Sequence, residues 1–472
     1  MKLILLFLCS VSTQILFSQN FTEVTQFPPF EGVENSSIAF ADVDGDNDQD
    51  VLITGASNAA RISKLYTNDG LGGFTEVLGT PFEGVSFSSI AFADVDGDND
   101  QDVFITGQNN SFALISKLYI NDGLGNFTEA VGPPFVGVSF SSIAFADVDG
   151  DNDQDILITG SNGSAFIAKL YTNDGLGTFN EVLGTPFEGV SLSSIAFADV
   201  DGDNDQDVLI TGANSSGYIS KLYTNDGLGS FIEVLDTPFE GISFGSIAFA
   251  DVDGDNDQDL LITGLNNSSI RISKLYTNDG LGSFTEVLDT PFENVTDSSI
   301  AFADVDGDDD QDVLITGRNN SGARISKLYT NDGLGSFTEV MGTPFEGVYQ
   351  GSIAFADVDG DNDQDVLITG RDNSGASISK LYTNDGTISS ANDLLLDVSL
   401  ELSLFPSPAA SNYLSIGLKL TESDILNVRV YDLNGYLIRQ QQEFAGIGDQ
   451  TFIVDITFLP AGSYFIQLEK GK

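Results

Sequence analysis

The chain has no histidine, no tryptophan, one cysteine and two methionines in 472 residues. Zinc favours histidine and cysteine ligands, so a zinc centre depends on where that cysteine lies. Cys9 falls within Met1 to Ser18, an apolar stretch with one lysine and small residues near Gln19. The segment reads as a secretory signal peptide, 1–18. The mature chain is then free of thiols, which excludes zinc–thiolate, disulfide and redox chemistry. A lipoprotein would place a small residue before the cysteine, and Leu8 is not one. No other stretch is long and apolar enough to span a bilayer. Cations are scarce too: 18 Lys and Arg stand against 71 Asp and Glu, for a net charge of −53. Such a surface repels nucleic acid and anionic membranes, which excludes both as direct partners.

The acidity is concentrated rather than spread. The string DVDGDNDQD begins at Asp42, Asp94, Asp147, Asp199, Asp251 and Asp357, and its variant DVDGDDDQD begins at Asp304. Five aspartates at alternate positions in each of seven copies make up 35 of the 71 acidic residues. The period is 52 or 53 residues, the signature of a propeller or repeat array. A composition of 41% hydrophobic residues, with 35 Phe, supplies a core.

Each repeat reads as four strands. SSIAFAD (Ser36 to Asp42) alternates apolar and small residues with period two. After the acidic loop, VLITG (Val51 to Gly55) is a continuous apolar run suited to a strand buried on both faces. ISKLYT (Ile62 to Thr67) follows, and Asn68-Asp69-Gly70 opens a hairpin turn into FTEVL (Phe74 to Leu78). No segment carries a helix pattern. Seven four-stranded units predict an all-β, seven-bladed β-propeller over residues 19–386. Within the array only six copies of the fourth strand occur, starting at Phe74, Phe127, Phe179, Phe231, Phe284 and Phe337. The seventh, Phe21 to Val24, lies at the mature N-terminus, where it can complete the last blade and leave no open edge.

The acidic loops are candidate metal sites. In the first, positions 1, 3, 5 and 9 are Asp42, Asp44, Asp46 and Asp50, and position 7, Asp48, can offer its carbonyl. The same positions are Asp94, Asp96, Asp98, Asp100 and Asp102 in the second copy, and Asp147, Asp149, Asp151, Asp153 and Asp155 in the third. Asp199, Asp201, Asp203, Asp205 and Asp207 follow, then Asp251, Asp253, Asp255, Asp257 and Asp259. The last two sets are Asp304, Asp306, Asp308, Asp310 and Asp312, and Asp357, Asp359, Asp361, Asp363 and Asp365. Converging carboxylates supply the hard oxygens that calcium takes. Without a cation, two of them 4 Å apart repel by roughly 4 kcal/mol at an effective dielectric of about 20. An EF-hand is excluded, because position 12 is Ile53 and not Glu, and the flanks are strands.

Asp-x-Asp-x-Asp-x-x-x-Asp between two strands, followed by VLITG and later NDGLGSF, resembles the FG-GAP/VCBS repeats of integrin α-subunit-like propellers. The resemblance covers about Phe21 to Gly386 and implies one calcium per copy, seven in all. Position 6, often Gly in that family, is here Asn47, Asn99, Asn152, Asn204, Asn256 and Asn362, with Asp309 in the sixth copy. Asn and Asp tolerate left-handed backbone geometry, so the turn is expected to survive. The extra acid in the sixth loop is expected to alter its affinity.

The repeat stops near Thr387, and residues 387–396 read as a linker. Residues 397–472 read as a small C-terminal β-sandwich. LFPSPAASNYLSI, NVRVYDLNGYLI and ITFLPAGSYFIQLEKG resemble the C-terminal sorting domain of the type IX secretion system of Bacteroidetes-like bacteria, with Ser407 where Asn is usual. The resemblance implies handling by that secretion machinery and a secreted or outer-cell-surface protein.

In a four-stranded blade the acidic loops and NDG turns share one face, and differences between repeats collect on the other. There Phe87, Phe140, Phe244, Tyr218, Tyr349, Arg271, Arg318, Arg324 and Arg371 are candidate contacts, since aromatics and Arg favour interfaces. The chain is therefore expected to be a non-enzymatic adhesion or recognition module for an extracellular protein or glycan. The alternatives are an extracellular hydrolase and a purely structural calcium-holding surface protein. Missing His, thiols and Trp, and the absence of an unassigned carboxylate pair, count against the hydrolase.

Overall fold

The computed structural model describes residues 21–25, 29–132 and 135–384, together with six strands between 403 and 470. The expected signal peptide and the linker at 387–396 lie outside the described residues. Two compact units divide the chain, one within Phe17–Thr387 and the other within Ile388–Lys472. The described residues are all-β and contain no helix.

In the first repeat the strands are Glu34–Ala41, Asp50–Ala56, Arg61–Thr67 and Thr75–Glu76, each antiparallel to the next. The second strand is the most buried of the four. Val51, Leu52 and Ile53 are fully buried, as an apolar run without polar alternation requires. The fourth strand is shorter than FTEVL suggests: it pairs through Thr75 and Glu76, and one further bond runs from Val77 N to Leu65 O. The first strand holds an irregularity that the alternation does not announce. Its register shifts between Glu34 and Ser37, and Asn35 sits there at φ 49°. The same shift recurs in later repeats around Phe87, Phe140, Leu192, Phe244 and Asp297. In the last repeat the first strand splits into Val348–Tyr349 and Ile353–Ala356, with Gln350 at φ 54° between them.

The core lies between successive repeats. One cluster joins Ala41, Val43, Leu52 and Leu65 of the first repeat to Val85, Ile90, Val103 and Tyr119 of the second. Comparable clusters join each later pair, and another joins Ala356, Val358, Leu367 and Leu381 of the last repeat to Phe30, Val33, Ile38 and Val51 of the first. Burying a Leu, Val or Phe contributes about 1.5–3 kcal/mol, so these junctions dominate stability. The Phe of each connecting PF motif anchors them. Phe82 packs edge-on against Tyr119 at 5.0 Å and lies 5.1 Å from Phe127, and Phe187, Phe239 and Phe292 repeat the arrangement.

The N-terminal strand Phe21–Glu23 pairs with the far end of the array: Phe21 faces Asn384 and Glu23 faces Tyr382. It supplies the fourth strand of the last repeat, as expected from its FTE sequence. In the C-terminal unit Tyr413–Leu420 pairs with Ser403–Phe405 and Gly448–Asp455, and Asp424–Tyr431 pairs with Leu437–Ala445 and Phe465–Lys470.

Phe21 is buried and meets Phe345 edge-on at 4.9 Å. Phe21→Ala should lower stability by about 3 kcal/mol and expose the Ser377–Asn384 edge. Denaturant unfolding with light scattering measures both; unchanged stability would mean that this pairing contributes little.

Candidate metal centres and ligand face

Every acidic loop is held by its own carboxylates. Asp42 Oδ1 accepts from Gly45 N at 2.7 Å and its Oδ2 from Asn47 N at 2.9 Å. Asp46 Oδ1 accepts from Asp48 N at 3.0 Å. Asn47 takes the left-handed conformation at φ 70°, and its counterparts, Asp309 included, lie at 68–70°. The tolerance expected of Asn and Asp at position 6 is thus used in every copy.

Position 9 goes deepest. Asp50 is 1% exposed; its Oδ2 accepts from Val43 N at 2.9 Å and its Oδ1 from Asn68 N at 2.8 Å. Asn68 then reaches outside its repeat: its Nδ2 donates to Val358 O of the preceding unit at 2.7 Å, where Gly72 N also donates at 2.9 Å. The side-chain bond recurs at 2.8 Å from Asn121 to Val43, Asn173 to Val95, Asn225 to Val148, Asn278 to Val200, Asn331 to Val252 and Asn384 to Val305. This clamp was not expected from the sequence, although the Asn of each NDG string is present in all seven copies. The turn's left-handed residues are glycines, Gly70 at φ 69° and Gly72 at 75°, and not the Asn or Asp. A side chain on Gly70 would also meet the Asp48 carboxylate, at 2.5 Å.

The structure brings three of the five candidate aspartates together in each of the first five loops. One carboxylate oxygen each from Asp42, Asp44 and Asp50 lies within 4.8 Å of the others, as do oxygens of Asp94, Asp96 and Asp102, and of Asp147, Asp149 and Asp155. In the fourth and fifth loops the grouping is Asp199, Asp201 and Asp203, and Asp251, Asp253 and Asp255. Position 7 stands apart, its carboxylate lying against the turn glycine. Position 3 shows most directly what the cluster lacks. Oδ1 of Asp44, Asp96, Asp149, Asp201, Asp253 and Asp359 is buried with no hydrogen-bond donor among the described residues. A buried carboxylate oxygen without a donor costs about 1–3 kcal/mol or more, and a cation would satisfy it. The donor set, all oxygen, fits a hard divalent ion.

Burial and, to a lesser extent, neighbouring carboxylates raise the affinity of these groups for protons. Desolvation pushes Asp50, Asp102, Asp155, Asp207 and Asp259 up to about 6. Asp365 rises to about 7 and Asp312, in the loop with the extra acid, to about 8.

The opposite face is organised around the irregular first strands. Asn35, Phe87, Phe140, Leu192, Phe244, Asp297 and Gln350 are one residue from each repeat, all at φ 49–54°. Together they line one cavity of about 180 Å³. Left-handed backbone at Phe and Leu is strained, and such strain clusters at functional sites. Of the candidate contacts, Phe87, Phe140 and Phe244 line this mouth. Tyr349 stacks near Arg318 and Arg324 beside it, at 5.4 and 4.7 Å. Tyr218 lies at the outer end of its strand, its backbone bonded to Asn267 of the next repeat.

The FG-GAP-like repeat model matches residues 42–105, 94–158, 147–210, 199–262, 251–315 and 304–368. The chain belongs to the FG-GAP-like repeat family. Residues 403–472 match the secretion system C-terminal sorting domain. That tail assigns the chain to type IX secretion and to a secreted or cell-surface location. Among the described residues no helix is long and apolar enough to cross a membrane.

The T-cell immunomodulatory protein of Homo sapiens is 25% identical over 257 residues, 51% of this chain and 39% of that protein. Its Rattus norvegicus counterpart is 26% identical over 283 residues, 55% of this chain and 43% of that protein. The chain thus spans about two fifths of the length of these curated relatives. Among solved structures, AofleA from Arthrobotrys oligospora is 13% identical with a TM-score of 0.39, covering 69% of this chain and 90% of its own. An Aleuria aurantia lectin mutant with bound alpha-methyl-L-fucoside is 14% identical with a TM-score of 0.38, covering 67% and 100%.

The ninth-position aspartates hold protons more tightly in the fold than in an unfolded chain, where the carboxyl group titrates near 3.9. In chelator the fold should therefore gain stability as pH falls from 8 to 5. Melting temperature against pH tests this; a flat or falling curve over that window would contradict it.

Proposed function

We propose that the chain is a secreted or cell-surface recognition module: a closed, seven-bladed β-propeller whose acidic loops hold calcium and whose variable face binds a protein or glycan ligand. The observation that carries the recognition reading is the convergence of seven left-handed residues of five types, one per repeat, on a single cavity, with Phe87, Phe140, Leu192 and Phe244 strained there. The acidic loops and NDG turns of the other face are nearly identical between repeats, so differences gathered on this face mark the place where an asymmetric ligand can be read. The pairing of Phe21–Glu23 with Ser377–Asn384 and the cluster between last and first repeats support ring closure.

In each loop positions 1, 3, 5 and 9 would hold calcium through carboxylates, with the carbonyl of position 7. The ion supplies positive charge where burial and mutual repulsion disfavour ionised aspartate. The protein's own part is to fix the loop through the Asp50-type and Asn68-type hydrogen bonds, so that binding an ion also stiffens the contact between neighbouring blades. The sixth loop, with Asp309, differs from the others in affinity. The module is non-enzymatic, as is an integrin-α-like adhesion propeller.

Calcium counting on the chelator-stripped and reloaded protein should return about seven ions, and chelation should lower the melting temperature at pH 7.5, because a ligand of the native state alone stabilises it. With calcium bound, the pH trend described for the chelated protein should invert, since protons then compete with the ion. Few ions and no thermal shift would remove the calcium reading.

A ligand found by screening glycans and extracellular proteins should lose at least tenfold in affinity on Phe140→Ala or Tyr218→Ala, and bind unchanged to Asp69→Asn on the other face. Turnover of a screened glycan would instead favour a hydrolase, and no saturable binding would leave a structural protein.

A further inference from the structure

We propose that Arg271, Arg318, Arg324 and Arg371 form an anion-binding site for the carboxylate or sulfate ester of an acidic glycan, with one sugar ring seated in the adjoining cavity. This rests on the variable face being the recognition surface and names the ligand class that it takes.

Positive charge elsewhere in the described repeats is already committed. Every lysine there, from Lys64 to Lys380, lies within 3.0 Å of one or two glutamate oxygens. Arg61 is satisfied as well, donating to Ser86 Oγ, Asn109 O and Gln108 Oε1. The four remaining arginines gather in the last three repeats on the variable face. Arg318 and Arg324 are directly opposite each other across two paired strands, an arrangement that is unfavourable for like charges. Arg371 faces Tyr349 across the next pair.

Acids near the row do not neutralise it. Arg318 Nη2 donates to Asp297 Oδ2 at 2.9 Å, and Arg371 Nε lies 3.5 Å from Glu34 Oε2. Two carboxylates therefore stand against four guanidinium groups. Arg271 Nε, Arg318 Nε and Arg324 Nη1 are buried and have no hydrogen-bond partner among the described residues. Buried donors are seldom left unpaired, and planar guanidinium groups match the oxygens of carboxylate and ester groups. All four side chains remain partly exposed, so an incoming oxyanion can reach them.

The neighbouring mouth selects what carries the anion. One arc is apolar, with the rings of Phe87 and Phe140 4.2 Å apart beside Leu192 and Phe244. The other arc is polar, formed by Asn35, Asp297 and Gln350. Such a site suits a ring with one apolar and one hydroxylated face. At about 180 Å³ the cavity is below the 300–1,000 Å³ of sites for drug-sized molecules, so it takes a single ring. An extended acidic peptide would instead want a free strand edge, and this face presents strand ends and loops.

The test measures binding of the full-length, calcium-loaded protein to hyaluronan and chondroitin sulfate hexasaccharides, with cellohexaose and hexaglutamate as comparators, at physiological ionic strength. The acidic sugars should bind. Arg324→Gln with Arg371→Gln should weaken them tenfold or more, Arg324→Lys should recover part of the loss, and Phe140→Ala should weaken them independently. Arg324 Nη1 has no hydrogen-bond partner among the described residues, and the variants' melting temperatures control for folding. Acidic-sugar binding that is indifferent to the arginine variants would overturn the proposal, as would Arg-dependent binding of hexaglutamate alone. Binding of cellohexaose alone, sensitive to Phe140→Ala, would overturn the anion site and keep the recognition face. Binding of none of the probes would overturn the proposal, while the wider ligand screen with Tyr218→Ala judges the face separately.

Discussion

A single buried carboxylate per repeat ties this architecture together. Asp50 and its six counterparts accept one hydrogen bond from their own loop and one from the turn after the third strand. The Asn that donates from that turn holds a carbonyl in the neighbouring repeat. Loop shape, turn shape and repeat-to-repeat docking therefore meet at one nearly water-free group. Such a group cannot be indifferent to its charge: burial, joined by neighbouring carboxylates, pushes it up to about 6, and in the most acidic loop to about 8. Whatever neutralises it acts on the contacts between repeats as well as on the loop. In that sense ionic conditions and mechanical coherence are one property in this protein.

The hydrophobic contribution is distributed differently. Each core cluster belongs to two repeats, with the PF phenylalanine of the connection closing over the tyrosine and phenylalanine of the next unit. A lone repeat would leave these faces open, so stability is a property of neighbours. Repeats agree with one another where they must dock, at the acidic loop, the NDG turn, the LY pair and the PF motif. They differ where docking makes no demand, at the ends of the strands on the other face. That separation leaves a rigid frame free to carry an asymmetric surface, with aromatic rings towards the second to fifth repeats and arginines towards the fifth to seventh.

Much of this was legible in one dimension because the chain states it seven times. The period gave the unit, the VLITG run gave its buried strand, and the displaced FTE at the N-terminus indicated which strand completes the last repeat. The acidic spacing gave the loop, and Asn47 at position 6 its left-handed turn. The shortness of the fourth strand escaped, because FTEVL has the alternation of a full strand. The left-handed bulge escaped for a different reason: Phe87 or Leu192 carries no preference for such geometry and is held there by the strands around it.

By itself the sequence determined the repeating unit, the all-β character, the acidic loops and the tail that directs secretion, because these depend on local periodicity and on residues close in the chain. Tertiary structure decided which groups meet. Asn68 and Val358 are 290 residues apart, and the cavity gathers one residue from each of seven repeats. Arg318 and Arg324 become opposed only through strand pairing, and Arg371 joins them only through the next repeat. Apart from the Arg318–Arg324 pair, which belongs to one hairpin, no spacing encodes these meetings, since they follow from the docking of whole repeats through their apolar faces and buried carboxylates.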